Sequence, residues 1–119
     1  MRAKDALGIR GEQAAARYLA GLGWRILDRN WRSRDGELDI VAHDGRAIVV
    51  CEVKTRSGTA FGAPVEAITA NKAARLVRLA RSWATAHGIG TASIRVDIIG
   101  LLPDGRGGFT VDHLRGCAE

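Results

Sequence analysis

Between Gly36 and Arg56 the chain reads GELDIVAHDGRAIVVCEVKTR, two apolar runs that meet at Asp44-Gly45. An Asp-Gly pair between such runs is among the strongest short-range hairpin signals, because both residues tolerate the positive φ of a two-residue turn. The feature commits the middle of the chain to antiparallel strands. It also places Glu37, Asp39, Glu52 and Lys54 in those strands, where charge is rarely buried unless it is paired or bound to a metal.

Alternate side chains of a strand share a face, so Glu37, Asp39 and Val41 project one way and Leu38, Ile40 and Ala42 the other. With a two-residue loop, His43 stands opposite Arg46, Asp39 opposite Val50 and Glu37 opposite Glu52. The four charges then converge on one side, with Asp39 diagonal to Glu52 at roughly 7–8 Å. A slip of one residue would send Glu52 and Lys54 to the other side. Three carboxylates on one patch repel one another unless positive charge sits among them, and Lys54 alone does not balance three. A divalent ion is the natural missing charge. Oxygen donors without imidazole or thiolate point to Mg²⁺ or Mn²⁺ rather than zinc.

Around this hairpin the pattern predicts an amphipathic helix over about Asp5 to Leu22, with Ala15, Tyr18, Leu19 and Leu22 at helical spacing and Gly23 as its stop. WRILDRNW reads as a first strand. A second helix runs from Thr69 as N-cap to Gly88, with Leu76, Leu79, Ala80 and Trp83 on one face. Two late strands flank the Pro103-Asp104-Gly105 turn. The order α-β-β-β-α-β-β predicts an α/β domain spanning 1–119, a central mixed sheet of about five strands with helices on both faces.

Glu12 falls within about 20° of Leu19 on the inward side of the first helix. Either it is an acid favoured by the helix dipole, or it reaches the hairpin's carboxylates from above. Cys51 reads as a core residue and Cys117 as a tail thiol, with no metal-ligand spacing between them. His43, His87 and His113 are scattered and read as surface or satisfied histidines. Asp97, inside IRVDIIG, reads as a structural ion-pair residue. The net charge of +5, from 15 Arg and 3 Lys against 13 acids, favours polyanionic partners. No apolar run is long enough to cross a bilayer and MRAKDALGIRGEQ lacks a secretory core, so the expected location is the cytoplasm, without membrane contact.

Asp39 followed by Glu52-Val53-Lys54 on the next strand resembles the D…(D/E)-x-K signature of restriction-endonuclease-like nucleases. Gly8, Gly11 and Glu12, then NWR at 30–32, GELDIV at 36–41, EVKTR at 52–56, FGAPVEAIT at 61–69 and Lys72, resemble the YraN family of small bacterial proteins over nearly the whole chain. The resemblance implies a three-layer restriction-endonuclease-like fold, similar to archaeal Holliday-junction resolvases. It further implies a Mg²⁺- or Mn²⁺-dependent endonuclease with Glu12, Asp39, Glu52 and Lys54 as its site, the metal held by Asp39, Glu52 and Glu12. Nucleic acid, DNA by that resemblance, would be the partner, and the resolvase analogy allows a homodimer. Arg32, Arg34, Thr55, Arg56 and Lys72 are candidates for phosphate contacts. Arg32 or Arg56 could instead pair with Glu37, which would otherwise stand as an outer acid of the metal site. The alternative is a non-catalytic nucleic-acid-binding or partner-binding protein on the same scaffold.

Overall fold

A computed structural model describes residues 5–57, 69–89 and 93–118. The FGAPVEAI part of the motif at 61–69 lies outside the described residues. Helix α1 (Ala6–Gly21) starts at Asp5, whose side chain accepts from the Gly8 amide at 2.7 Å and so satisfies one of the orphan donors of the first turn. Strands β1 (Arg25–Ser33), β2 (Gly36–His43) and β3 (Ile48–Thr55) follow, then helix α2 (Ala70–Ala86), β4 (Ile94–Pro103) and β5 (Phe109–Ala118). Thr69 caps α2 as expected, accepting from the Lys72 amide at 3.1 Å.

The strands form one mixed sheet in chain order, β1-β2-β3-β4-β5. The β3–β4 pair is parallel and the other pairs are antiparallel. A parallel pair needs a crossover connection, and α2 supplies it. On the α2 face Leu76, Leu79, Ala80 and Trp83 pack on Leu38, Val41, Ile48, Val50 and Val96. On the other face Ala15 and Leu19 of α1 pack on Ile40, Ala42, Val49, Cys51 and Ile99. Burial against α1 pushes the Cys51 thiol well above its ordinary range, which leaves it a core residue rather than a nucleophile. Leu22, expected inside, is exposed: it is the C-cap of α1, where the helix has already turned away from the sheet.

Two departures from simple strand geometry shape the centre of the sheet. The β2–β3 loop has four residues, Asp44 to Ala47, not two, so His43 faces Ile48 rather than Arg46. Asp44 makes the difference. Its carboxylate accepts from the Arg46 and Ala47 amides at 2.8 and 2.9 Å, closing a local turn, and its other oxygen takes Arg95 of β4 at 2.8 Å. The slip is two residues, so parity survives: Val50, Glu52 and Lys54 still share the α2 side of β3.

The second departure is at Asp39. Leu38 packs with Val41 on the α2 side while Ile40 and Ala42 face α1, so the expected grouping of Leu38 with Ile40 and Ala42 is broken. Asn30, the residue of β1 level with Asp39, has φ 55. On the other side, the β2–β3 ladder ends at Ile40–Cys51. The strands part just where the acidic residues begin.

Candidate functional site

Where the β2–β3 ladder ends, the backbone N–H of Val53 loses a strand partner, and a buried donor left unpaired would be costly. Asp39 supplies the partner: its Oδ2 accepts from Val53 N at 2.9 Å. The carboxylate therefore sits inside the fork between the strands, 3 % exposed. Counting one step past the last ladder pair brings Asp39 level with Glu52, rather than with Val50 as a two-residue loop would have it.

Glu52 is 7 % exposed and carries two ammonium groups on one oxygen: Lys54 Nζ at 3.3 Å and Lys72 Nζ at 3.1 Å from Oε1. Lys54 comes from the same face of β3, two residues on, and Lys72 from the first turn of α2. Burial, and then the adjacent Lys72, push the Lys54 ammonium below its ordinary range. Burial acts on Lys72 in the same direction, but its pairing with the Glu52 carboxylate outweighs it and raises the value. Two acids thus face two ammoniums, a locally neutral set in which every charge is partly desolvated.

Glu12, 3 % exposed, lies on α1 and so over the opposite face of the sheet. Gly11 beside it touches the end of β3; a Cβ there would collide with Thr55 Oγ1 and come within 2.9 Å of its Cγ2. That contact sets α1 close to the fork. Arg29 of β1 stands 3.8 Å from the Glu12 carboxylate. Sequence reasoning missed Arg29, because the register shift in β1 between Ile26 and Asp28 turns it toward α1 and has no sequence signature.

Glu37 accepts from Arg32 Nε at 3.0 Å, its direct neighbour across the β1–β2 pair, and stands two residues from the register position of Glu52. Arg34 is exposed at the β1–β2 turn. Thr55 is half-buried against Gly11. Arg56 donates its backbone N–H to Leu101 O at 3.0 Å, and its Nε is buried with no hydrogen-bond partner among the described residues. The structure therefore brings Asp39, Glu52, Lys54 and Lys72 to one end of the sheet, sets Glu12 over the other face with Arg29, and gives Glu37 to Arg32.

Among the described residues no three His, Cys, Asp or Glu side chains gather as ligands for one ion. The donors at the fork are the carboxylates of Asp39 and Glu52, hard oxygen ligands of the kind that Mg²⁺ or Mn²⁺ takes. That two ammonium groups crowd one oxygen of Glu52 shows how strongly the position favours positive charge. By donor chemistry these residues fit a small divalent cation.

A second charged cluster lies at the α1 side of β4. Asp97, fully buried, accepts from Arg95 Nε and NH2 at 2.9 and 3.1 Å, from His113 Nε2 at 2.8 Å and from the Gly116 amide at 3.0 Å. His113 Nδ1 meets Tyr18 OH at 2.8 Å, and Trp24 lies under Arg95 and Arg115 at 5.3 and 5.4 Å. This network ties α1, the β2–β3 loop, β4 and β5 together, and its acid is saturated by its own donors.

The family model described as "Uncharacterised protein family UPF0102" matches residues 11–101, a range that contains every residue of the fork. The UPF0102 protein of Frankia casuarinae is 52% identical over 117 residues, covering 98% of this chain and 99% of its own. That of Arthrobacter sp. (strain FB24) is 53% identical over 116 residues and 98% of each chain. That of Streptomyces coelicolor is 51% identical over 120 residues, 99% of this chain and 92% of its own. With three-quarters of its length matched by the family model and such relatives aligned end to end, the chain belongs to the UPF0102 family.

Proposed function

We propose that the protein is a metal-dependent hydrolase of nucleic-acid phosphodiester bonds, a DNA endonuclease of the restriction-endonuclease-like class. The observation that carries the reading is the strand fork: it buries two carboxylates on adjacent strands and sets two ammonium groups against one of them. A phosphodiester is anionic and repels a nucleophile, so hydrolysis needs positive charge placed on the phosphate.

Asp39 and Glu52 would hold Mg²⁺ or Mn²⁺. When bound, such an ion neutralises phosphate charge and acidifies a water. Lys54 stabilises charge that grows on the phosphate oxygens. Lys72, freed from Glu52 as the phosphate arrives, takes a second oxygen. The incoming phosphate draws the ammoniums from Glu52 and leaves two carboxylates for the cation, so metal and DNA should bind each other's complex more tightly than the free protein. Glu12 supports the site from α1. Arg34 and Arg56 would contact the flanking backbone, since Arg32 is engaged with Glu37.

The test is incubation of linear and branched DNA with the protein and Mg²⁺ or Mn²⁺. Wild type should cleave, and Asp39→Asn and Lys54→Met should each lose about 100-fold or more. No cleavage by wild type, or cleavage by both variants at the wild-type rate, overturns the reading. A second reading has its own support: Lys54 and Lys72 already neutralise Glu52, as a scaffold kept for binding alone would require. DNA binding that persists in Asp39→Asn, with no Mn²⁺ uptake by calorimetry, would select it.

A further inference from the structure

At the far end of the same sheet the structure opens a second cavity, about 560 Å³, within the range of small-ligand sites. Strand register builds its floor: Arg25, His43 and Ile48 are successive partners across β1, β2 and β3. The C-terminal end of α2 forms the wall with Trp83 and His87. From Lys72 to His87 the helix advances about 22 Å, so the cavity is separate from the acidic fork.

Two properties define what it can hold. The wall's ionisable groups, among the described residues, are all basic: Arg25, His43, Arg46 and His87. His43 Nδ1 accepts the Gly45 amide at 3.0 Å, so its neutral ring carries the proton on Nε2 and remains a donor. The second property is a flat aromatic shelf. His87 stacks on Trp83 with centroids 4.2 Å apart and planes 24° from parallel. Trp83 is fixed by its Nε1–H bond to Asp28 at 2.8 Å, and His87 by its Nδ1 bond to Trp83 O at 2.8 Å. Asp28, partly exposed, is 3.8 Å from His87 Nε2. His87 is 41 % exposed while Trp83 is buried, so the outer face of His87 is the stacking surface that reaches the opening.

The geometry points to a binding site for a planar group bearing a phosphate, that is, a nucleotide: the base lies on the outer face of the exposed His87 ring, which the buried Trp83 backs, and the phosphate meets Arg25 and Arg46 at the rim. Arginine recognises phosphate through paired N–H donors, and bases stack on aromatic rings without regard to sequence. The same chemistry is offered by a free mononucleotide and by the phosphorylated end of a DNA strand. The site does not depend on the fork being catalytic.

Calorimetric titration of the full chain tests this with four probes: adenosine 5′-monophosphate, adenosine, inorganic phosphate, and a short single strand carrying a 5′-phosphate. The mononucleotide should bind saturably and more tightly than adenosine or phosphate alone. Arg25→Ala with Arg46→Ala, and separately His87→Ala, should each weaken it at least about tenfold while the melting temperature stays put. Competition by the 5′-phosphorylated strand assigns the site to chain ends, and its absence to free nucleotides. No saturable binding by any probe, binding indifferent to these substitutions, or binding abolished by Asp39→Asn instead, overturns the assignment.

Discussion

Asp97→Ala removes the acceptor of four hydrogen bonds at once, at a site with no solvent to replace it. Arg95 keeps Asp44 as a partner, but His113 Nε2 and the Gly116 amide are left facing a cavity. Deleting one member of a buried ion pair costs about 3–5 kcal/mol, a large share of the roughly 5–15 kcal/mol that stabilises a domain. Unfolding entropy near 2.1 cal/mol/K per residue over 119 residues gives about 0.25 kcal/mol/K, so the melting temperature should fall by about 12–20 °C. Thermal and urea unfolding followed by circular dichroism at neutral pH measure this. Burial alone would raise the Asp97 pKa, but His113, Arg95 and the Gly116 amide outweigh it and hold it below the usual carboxylate range. A depressed folded value means that the contribution is complete above an unfolded pKa of about 3.9 and is lost as pH falls through the folded value. The gap between wild type and variant should therefore narrow below about pH 4. A loss under about 1 kcal/mol at neutral pH, or a gap that widens in acid, would refute the assignment of Asp97 as the main electrostatic tie between β4 and β5.

Gly11→Ala should destabilise by about 1–3 kcal/mol although alanine is the better helix former, because the new methyl meets Thr55; adding Thr55→Ala should restore most of the loss in urea unfolding. Asp44, held by the Ala47 and Arg46 amides and by Arg95 at a pKa of about 2, stabilises the fold above about pH 4 and loses that contribution as pH falls to about 2. Asp44→Asn should flatten this part of the acid-unfolding curve, and an unchanged curve would count against the loop anchor. Lys72→Met should lower stability by about 1 kcal/mol, since Lys54 still neutralises part of Glu52, and a neutral outcome by the same unfolding assay would mean that the second ammonium is not a structural partner.

The helices and strands were legible because apolar spacing and local signals specify them: the Thr69 cap and the stripe from Leu76 to Trp83 act within a few residues. The hairpin loop was not. Asp-Gly favours two residues, and the four-residue form depends on Arg95, which is 51 positions from Asp44 in sequence. Asp39 and Glu52 were legible as charges out of place in apolar strands, yet their setting in a fork rests on the β2–β3 ladder ending at Ile40–Cys51, which no spacing predicts. Lys72 offered a signal that could have been used further. A cation in the first turn of a helix opposes the helix dipole, so an acid nearby was to be expected, and Glu52 is that acid.

The irregularities of β1 also bear on how copies of this chain meet. β1 is an edge strand, and within nine residues it carries a register shift after Ile26, a left-handed turn at Asn30 and the charges of Arg25, Asp28, Arg29 and Arg32. An incoming strand finds no straight run of donors and acceptors there to zip against. The distortion of β1 guards the outer border of the sheet against amyloid-like stacking.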